Sequence, residues 1–512
     1  MIPHVGIEAD ETLFVQGIYQ PRAELYSIHM ARHRIPIMLM SYVGALKSWI
    51  YVPILPLFGH GIRVLREPML LAGVASVWLF YLLLRRIAGE RAAIVGCALL
   101  AVDSMYLLTA CFDWGPVALQ HLLLLGGLLL LVRYYQERVL AHLAGGFLLL
   151  GLGLWDKALA IWMLTGLGIA ALALYPRQML GLISRRRLAI AAVSFCLGAS
   201  PLMLYNARNH WATFAGNFQR DSAGIAGKAQ FLVTMAGGEG LFGWLTAENW
   251  QTPQPHESAR PMAKLAAHVS DAAGHPRRSL LLYAFLLALA LAPLGGWKTV
   301  RAVLFAVIAM AVGWIQMAIT ANAGASAHHT VLLWPFPELA IAISWAAASR
   351  RAGRAGIPAL AASVAVMLIS GALVLNEYYV AMIRYGGAQA WNGAVYPLAD
   401  YARRIPAKCF YSMDWGIQDQ LRYLDGGKLP LEVGDEQMAK PVMDAADRQI
   451  VEGMIADPGN IFIAHTKAFE FFPGHSDKLV QFAAAEGYRR QDMATVQDGF
   501  GRPVFEIYRL VK

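Results

Sequence analysis

Charge is what this sequence has least of. Only 15% of its 512 residues are Asp, Glu, Lys or Arg, against 57% hydrophobic side chains, and a chain of that balance cannot cover itself with polar surface in water. Cysteine is scarce as well. Three of the four, Cys97, Cys111 and Cys196, fall in or at the ends of apolar runs and only Cys409 lies in polar sequence, so neither a disulfide framework nor a zinc site is implied. No segment repeats at a fixed spacing, and the opening Met-Ile-Pro-His-Val-Gly-Ile-Glu has neither the basic start nor the apolar core of a signal peptide. The net charge of +9 does not point to nucleic acid. Its arginines gather in short loops between apolar runs, which is the orientation signal of a membrane protein.

What is abundant is the long apolar run. A helix crossing hydrocarbon needs roughly 20 such residues, because every backbone N–H and C=O must be satisfied inside the segment. After residue 67, ten stretches qualify, near 68–85, 92–111, 115–133, 139–155, 158–175, 188–206, 280–296, 301–320, 329–348 and 355–375. Every second loop is basic, carrying Arg85, Arg86 and Arg91, then Arg133 and Arg138, Arg177 with Arg185 to Arg187, Lys298 with Arg301, and Arg350, Arg351 with Arg354. Those loops are assigned to the cytoplasm and the others to the outer face. The sequence thus predicts an all-α polytopic membrane protein in a plasma membrane, the bacterial inner membrane, in three parts. Residues 1–67 form an external loop with an interfacial segment at 36–58, interrupted by Lys47, Pro53 and Pro56. Residues 68–375 form the membrane domain, including a long external loop at 207–279. Residues 376–512 form a small outer α/β domain, with strands expected at 409–413, 461–464 and 504–510 and helices at 418–424 and 478–486.

Against this background, charged residues at the outer ends of spans are candidates for chemistry. Four places qualify. They are Asp10-Glu11, the tight turn Phe112-Asp113-Trp114-Gly115-Pro116, the turn Trp155-Asp156-Lys157, and the pair His328-His329 at a span start. Each has a plainer reading. Asp113 before Gly-Pro has the position of a helix cap, Asp156 with Lys157 is a self-neutralising pair, a histidine pair at a span start is interfacial, and Lys47 snorkels from an interfacial helix.

At these residues the chain resembles the GT-C class of membrane glycosyltransferases, in the branch of protein O-mannosyltransferases and lipid A aminoarabinose transferases. The carriers are Asp10-Glu11, the run Ser41-Tyr42-Val43-Gly44-Ala45-Leu46-Lys47 through Pro53 and Leu57-Phe58-Gly59, then Leu65-Arg66 to Gly73, Tyr81 to Arg86 with Gly89, and the two turns around Asp113 and Asp156. The likeness covers roughly residues 8–375. It implies that Asp10, with Glu11 beside it, is the catalytic base at the outer face, and that Asp113 is a second acid shaping base and acceptor. It further implies that Lys47 and Lys157 lie near the phosphate of a polyprenyl-phosphate sugar donor, and His328 or His329 could add to the cations its developing charge needs. Trp114, Trp155 and Asp156 are candidates for the substrate pocket. A carboxylate taking the proton of an acceptor hydroxyl, with cations receiving the charge on the departing lipid phosphate, is one displacement and inverts the anomeric carbon.

The expected acceptor is a lipid, a glycan or a protein. Related enzymes leave room for a divalent metal, and no acidic cluster here compels one. The sequence also departs from the family. Members carry a spanning helix ahead of the acid loop, whereas nine residues precede Asp10; a His-Pro-Pro stretch is replaced by Arg34-Ile35-Pro36; and His328-His329 stands where a basic-aromatic pair is usual. The competing function is a transporter or flippase of lipid-linked sugars. That class favours paired halves and ionisable groups at mid-membrane, whereas here the acids cluster toward one face.

Overall fold

The computed structural model describes residues 1–19, 25–30, 33–182, 184–217, 219–252 and 255–512. Each of the ten apolar stretches lies on helix. Among the described residues six helices are long and apolar enough to cross a membrane, and a seventh span arises if one bent pair is counted as a unit.

The chain begins with a single helical turn, α1 (Ala9–Thr12), followed by a hairpin of β1 (Tyr26–Met30) and β2 (His33–Met38). The expected interfacial segment 36–58 is divided. Its first residues pair in β2, a tight turn follows, and helix α2 (Leu46–Phe58) begins only after Ala45. The turn is held by packing elsewhere in the chain, since Val43 bridges to Lys157 and Ala158 N donates to Tyr42 O at 2.9 Å. Helix α2 keeps Pro53 and Pro56 within it and leaves Trp49, Val52, Leu57 and Phe58 exposed, an apolar face on a short helix.

The bundle proper runs through α3 (Ile62–Ala88), α4 (Glu90–Leu100), α5 (Ser104–Cys111), α6 (Val117–Glu137), α7 (Leu140–Asp156), α8 (Ala160–Leu174), α9 (Arg185–Arg208), α10 (Leu281–Leu291), α11 (Trp297–Ala318), α12 (Phe336–Arg351) and α13 (Gly356–Arg384). Helices α4 and α5 meet at a 64° bend, where the Asp103 side chain caps the second through Tyr106 N at 2.7 Å. Between apolar helices in lipid, tight contact takes the place of the hydrophobic effect and requires small residues. A Cβ on Gly151 of α7 would stand 2.3 Å from Phe195 O, and one on Gly198 of α9 would stand 2.4 Å from Leu148 O. These two helices therefore touch backbone to backbone. One end of the bundle gathers the basic loops, with Arg86 paired to Glu137 at 2.7 Å and Arg91 donating to Ser349 Oγ at 2.9 Å. At the opposite end the turns after α5 and α7 meet the N-terminal segment.

The C-terminal domain is a five-stranded sheet in the order β4 (Leu431–Val433), β3 (Cys409–Ser412), β5 (Asn460–His465), β7 (Pro503–Val511) and β6 (Arg489–Gln497). Its first three strands are parallel and the last two antiparallel. Strand β5 is buried at all six positions, as a central strand covered on both faces must be. Strands β3, β5 and β7 and the helices His475–Ala485 and α14 (Gln418–Asp425) fall where the sequence placed them. In the 207–279 segment the described residues include three α-helices, Ala212–Asn217, Ile225–Ala236 and Pro261–Ala273, and a 3-10 turn, Asn249–Gln251.

Candidate active site

The acid loop is pinned on both flanks of Asp10. Glu8 caps α1, its Oε2 accepting from Glu11 N at 3.0 Å, and is buried. Burial, then the charge of Asp10, pushes the Glu8 carboxyl well above its ordinary range. Glu11 accepts two bonds from Arg66 of α3, Nε to Oε1 at 2.6 Å and Nη2 to Oε2 at 2.9 Å. Arg66 also donates to Ile2 O at 2.5 Å and Gly6 O at 2.6 Å and lies over the Phe112 ring. Glu11 is thus stapled to the bundle, and neighbouring residues on a helical turn point about 100° apart. Asp10 is the partly exposed acid of the three.

Among the described residues nothing hydrogen-bonds to the Asp10 carboxylate. Burial raises its proton affinity, while the nearby charges of Lys157 and Lys47 pull the other way. Tyr42, from the turn before α2, is within electrostatic reach of it.

The Asp113 turn lies directly beneath. Asp113 is buried and both oxygens are occupied: Oδ1 accepts from Ala118 N at 2.8 Å, capping α6, and Oδ2 pairs with Lys47 Nζ at 3.0 Å. The cap reading of its sequence position therefore holds, with an ion pair added. Lys47 is itself buried and donates also to Glu11 O at 3.2 Å and Asp113 O at 3.0 Å. All three of its N–H groups face protein.

Lys157 differs in this respect. Among the described residues its Nζ donates to Gly115 O alone, at 2.9 Å, which leaves two donors for something else. Burial lowers it to about 8, against the raising influence of Asp10, Asp113 and Asp156. Gly115 has φ +74°, and a Cβ there would lie 3.0 Å from Lys157 Nζ and 3.3 Å from His328 Cδ2. The glycine is what lets lysine and histidine close on the turn. His328 is half-buried and its Nδ1 is engaged by Ser326 Oγ at 2.7 Å. His329 packs behind it, ring centroids 4.2 Å apart, with its Nδ1 unpartnered among the described residues. Trp114 meets His328 edge to face at 6.1 Å and Trp391 at 5.4 Å.

Asp156 is fully buried with neither carboxylate oxygen hydrogen-bonded among the described residues, while Trp155 is held by Nε1 donating to Ile37 O at 2.9 Å. The four sequence-selected places are thus brought to one end of the bundle. Arg66, Glu8 and Gly115 join them with roles that sequence reasoning did not assign. An arginine near the start of an apolar helix was the available signal for Arg66, and the Gly-Pro dipeptide that for Gly115. Among the described residues no group of three or more His, Cys, Asp or Glu side chains is arranged to hold a metal ion.

Residues 44–205 match the family described as dolichyl-phosphate-mannose-protein mannosyltransferase. That span contains Lys47, Asp113 and the Trp155-Asp156-Lys157 turn. No curated protein matches the sequence. Two solved structures of ArnT from Cupriavidus metallidurans are similar over nearly the whole chain. The one bound to undecaprenyl phosphate has 14% identity and a TM-score of 0.57, covering 99% of this chain and 95% of that one. The apo form has 14% identity and a TM-score of 0.56, covering 98% and 93%. With the matched segment running from α2 into α9 and the likeness to ArnT extending through the C-terminal sheet, the chain has the fold of ArnT.

Proposed function

We propose that this protein is an integral membrane glycosyltransferase. It moves a sugar from a polyprenyl-phosphate carrier to a lipid, glycan or protein acceptor at the extracytoplasmic face of a bacterial inner membrane. The observation that carries the reading is the Asp10 carboxylate, recessed, without a hydrogen-bond partner among the described residues and faced by Lys157.

In this reading Asp10 takes the proton of the acceptor hydroxyl as its oxygen attacks the anomeric carbon. The bond to the lipid phosphate breaks in the same displacement, so the anomeric centre inverts. The phosphate leaves with negative charge, and the two Lys157 donors left without a partner among the described residues receive it in a site poor in water, where a fixed cation is worth more than in solution. His328 stands beside Lys157 as a further donor. Because the N–H groups of Lys47 are occupied by Glu11 and Asp113, its part here is to hold the acid loop, and Glu11 and Asp113 serve the same end. A polyprenyl phosphate bound to the ArnT neighbour supports the choice of donor class.

The test is a mass-spectrometric comparison of cell-envelope glycans and lipids with and without the gene. A species that disappears on deletion is expected to return with the wild-type gene and not with Asp10→Asn, whose transfer falls roughly 100-fold or more. Its return with Asp10→Asn overturns the assignment.

A further inference from the structure

His328 and His329 are neighbours in sequence with different surroundings. The short helix Ala327–Thr330 opens on Ser326. A serine in that place ordinarily turns its hydroxyl onto the first backbone N–H groups of the helix. Here, among the described residues, it makes no such cap. Its Oγ lies instead 2.7 Å from Nδ1 of the His328 ring, two residues on. The serine is fixed through its carbonyl, which accepts from His329 N and Thr330 N, both at 3.1 Å. Two aromatic neighbours confine the ring further: His329 lies against it, centroids 4.2 Å apart, and Trp114 meets it edge to face at 6.1 Å. The edge that carries Nε2 faces Gly115. Cδ2, bonded to Nε2, is 3.3 Å from the place a Gly115 side chain would take, and Lys157 Nζ is 3.0 Å from the same place. Glycine has no side chain to fill it, so the imidazole edge and the ammonium share one gap. His329 turns to the bundle, its ring packing edge to face on Trp162 of α8 at 6.2 Å.

We propose that Ser326 is a positioning residue for the phosphate of the sugar donor, holding His328 by Nδ1 so that Nε2 and Lys157 take the phosphate between them. This rests on the reading of the Lys157 site as the place of that phosphate.

The chemistry of the ring explains the need. A neutral imidazole has one N–H, and the nitrogen that carries it is set by the bond the other nitrogen makes. A hydroxyl donating to Nδ1 leaves the proton on Nε2, where it meets a phosphate oxygen. Without a phosphate the same hydroxyl rotates to accept from Nδ1–H, and Nε2 accepts from the ammonium of Lys157. A hydroxyl serves both states because it is donor and acceptor in one group. A backbone carbonyl at the same place only accepts, which would fix the proton of the neutral ring on Nδ1 and turn a lone pair toward the anion. Such a purpose accounts for a serine at a helix start whose hydroxyl is given to a side chain and not to the backbone.

The experiment titrates the full-length protein in detergent with undecaprenyl phosphate and, separately, with undecaprenol, which lacks the phosphate, and reads binding by thermophoresis. His328→Ala is expected to weaken undecaprenyl phosphate about tenfold or more, the loss of one hydrogen bond to a charged group. Ser326→Ala weakens it about five- to tenfold, whereas Ser326→Thr, which keeps the hydroxyl, stays within about twofold of wild type. Neither serine variant changes the affinity for undecaprenol. In a His328→Ala background Ser326→Ala adds nothing further, because the serine acts through the ring. A serine that only supports the fold shifts both lipids alike and adds to His328→Ala. Either of those results overturns the proposal, as does Ser326→Ala binding undecaprenyl phosphate like wild type. Should Ser326→Ala fail to fold, Ser326→Cys, with its weak donor and acceptor, decides in its place. Lys157→Met tests the underlying reading: unchanged binding of undecaprenyl phosphate there removes that reading and this one with it, whereas weakened binding beside an unaffected Ser326→Ala overturns the part of the serine alone.

Discussion

Replacing Glu11 with glutamine separates an acid that holds the loop from an acid that does chemistry. Glu11 neutralises Arg66 across two bonds of 2.6 and 2.9 Å, in a place where the side chains are 1% and 0% exposed. Glutamine keeps the size but removes the charge and turns an NH2 toward a guanidinium that has only donors. Breaking one side of a buried pair costs about 3–5 kcal/mol. At about 2 °C per kcal/mol for a large cooperative unit, the unfolding temperature drops by roughly 6–10 °C. The pair is shielded from solvent, so the drop is expected to be nearly independent of salt. Arg66→Met strands the same carboxylate and also removes the donor from Ile2 O and Gly6 O. Glu11→Gln with Arg66→Met together is therefore expected to cost less than the two single changes summed, by about 2–3 kcal/mol. Thermal unfolding in detergent, followed by intrinsic fluorescence of the 14 tryptophans, measures all four proteins. A Glu11→Gln protein that unfolds within about 1 °C of wild type while losing transfer refutes the reasoning and makes Glu11 a reacting group.

Three further outcomes are expected. Lys157 titrates at about 8, so donor affinity falls about tenfold per pH unit above 8. The sign for folding is opposite: its folded value lies below the ordinary 10.5, the cost of burying the cation is fully present below pH 8, and stability rises between 8 and 10.5. Donor binding and unfolding measured over that range check both trends, and Lys157→Met abolishes both. Gly115→Ala places a Cβ 3.0 Å from Lys157 Nζ at φ +74°, costs about 1–2 kcal/mol in backbone strain, and raises KM for the donor more than it lowers kcat. Asp113→Asn retains the cap on α6 but leaves Lys47 without its anion. An unfolding temperature lowered by several degrees is expected, and an unchanged one removes Asp113 from the frame of the acid loop.

Much of the architecture is written locally. Arg86 and Arg350 mark the same end of the bundle because basic residues are expensive in hydrocarbon, and that expense is visible in any short window of sequence. The strands Cys409–Ser412 and Asn460–His465 announce themselves by apolar runs of strand length. The segment 36–58 was less legible. Its first residues join a hairpin through partners at 26–30, and its turn is set by the bridge from Val43 to Lys157, neither of which leaves a trace in hydropathy.

By itself, then, the sequence determined the apolar helices, the two ends of the bundle, the C-terminal α/β domain and the set of charged turns, because each follows from the polarity of consecutive residues. Tertiary structure alone decided what those charges do. Glu11 and Arg66 stand 55 positions apart and Gln16 and Asp419 stand 403 apart, so no spacing rule pairs them. Whether an acid is tied to a cation, caps a helix, or is left with a free carboxylate depends on which groups folding carries to within 3 Å of it. That is the difference between Glu11, Asp113 and Asp10.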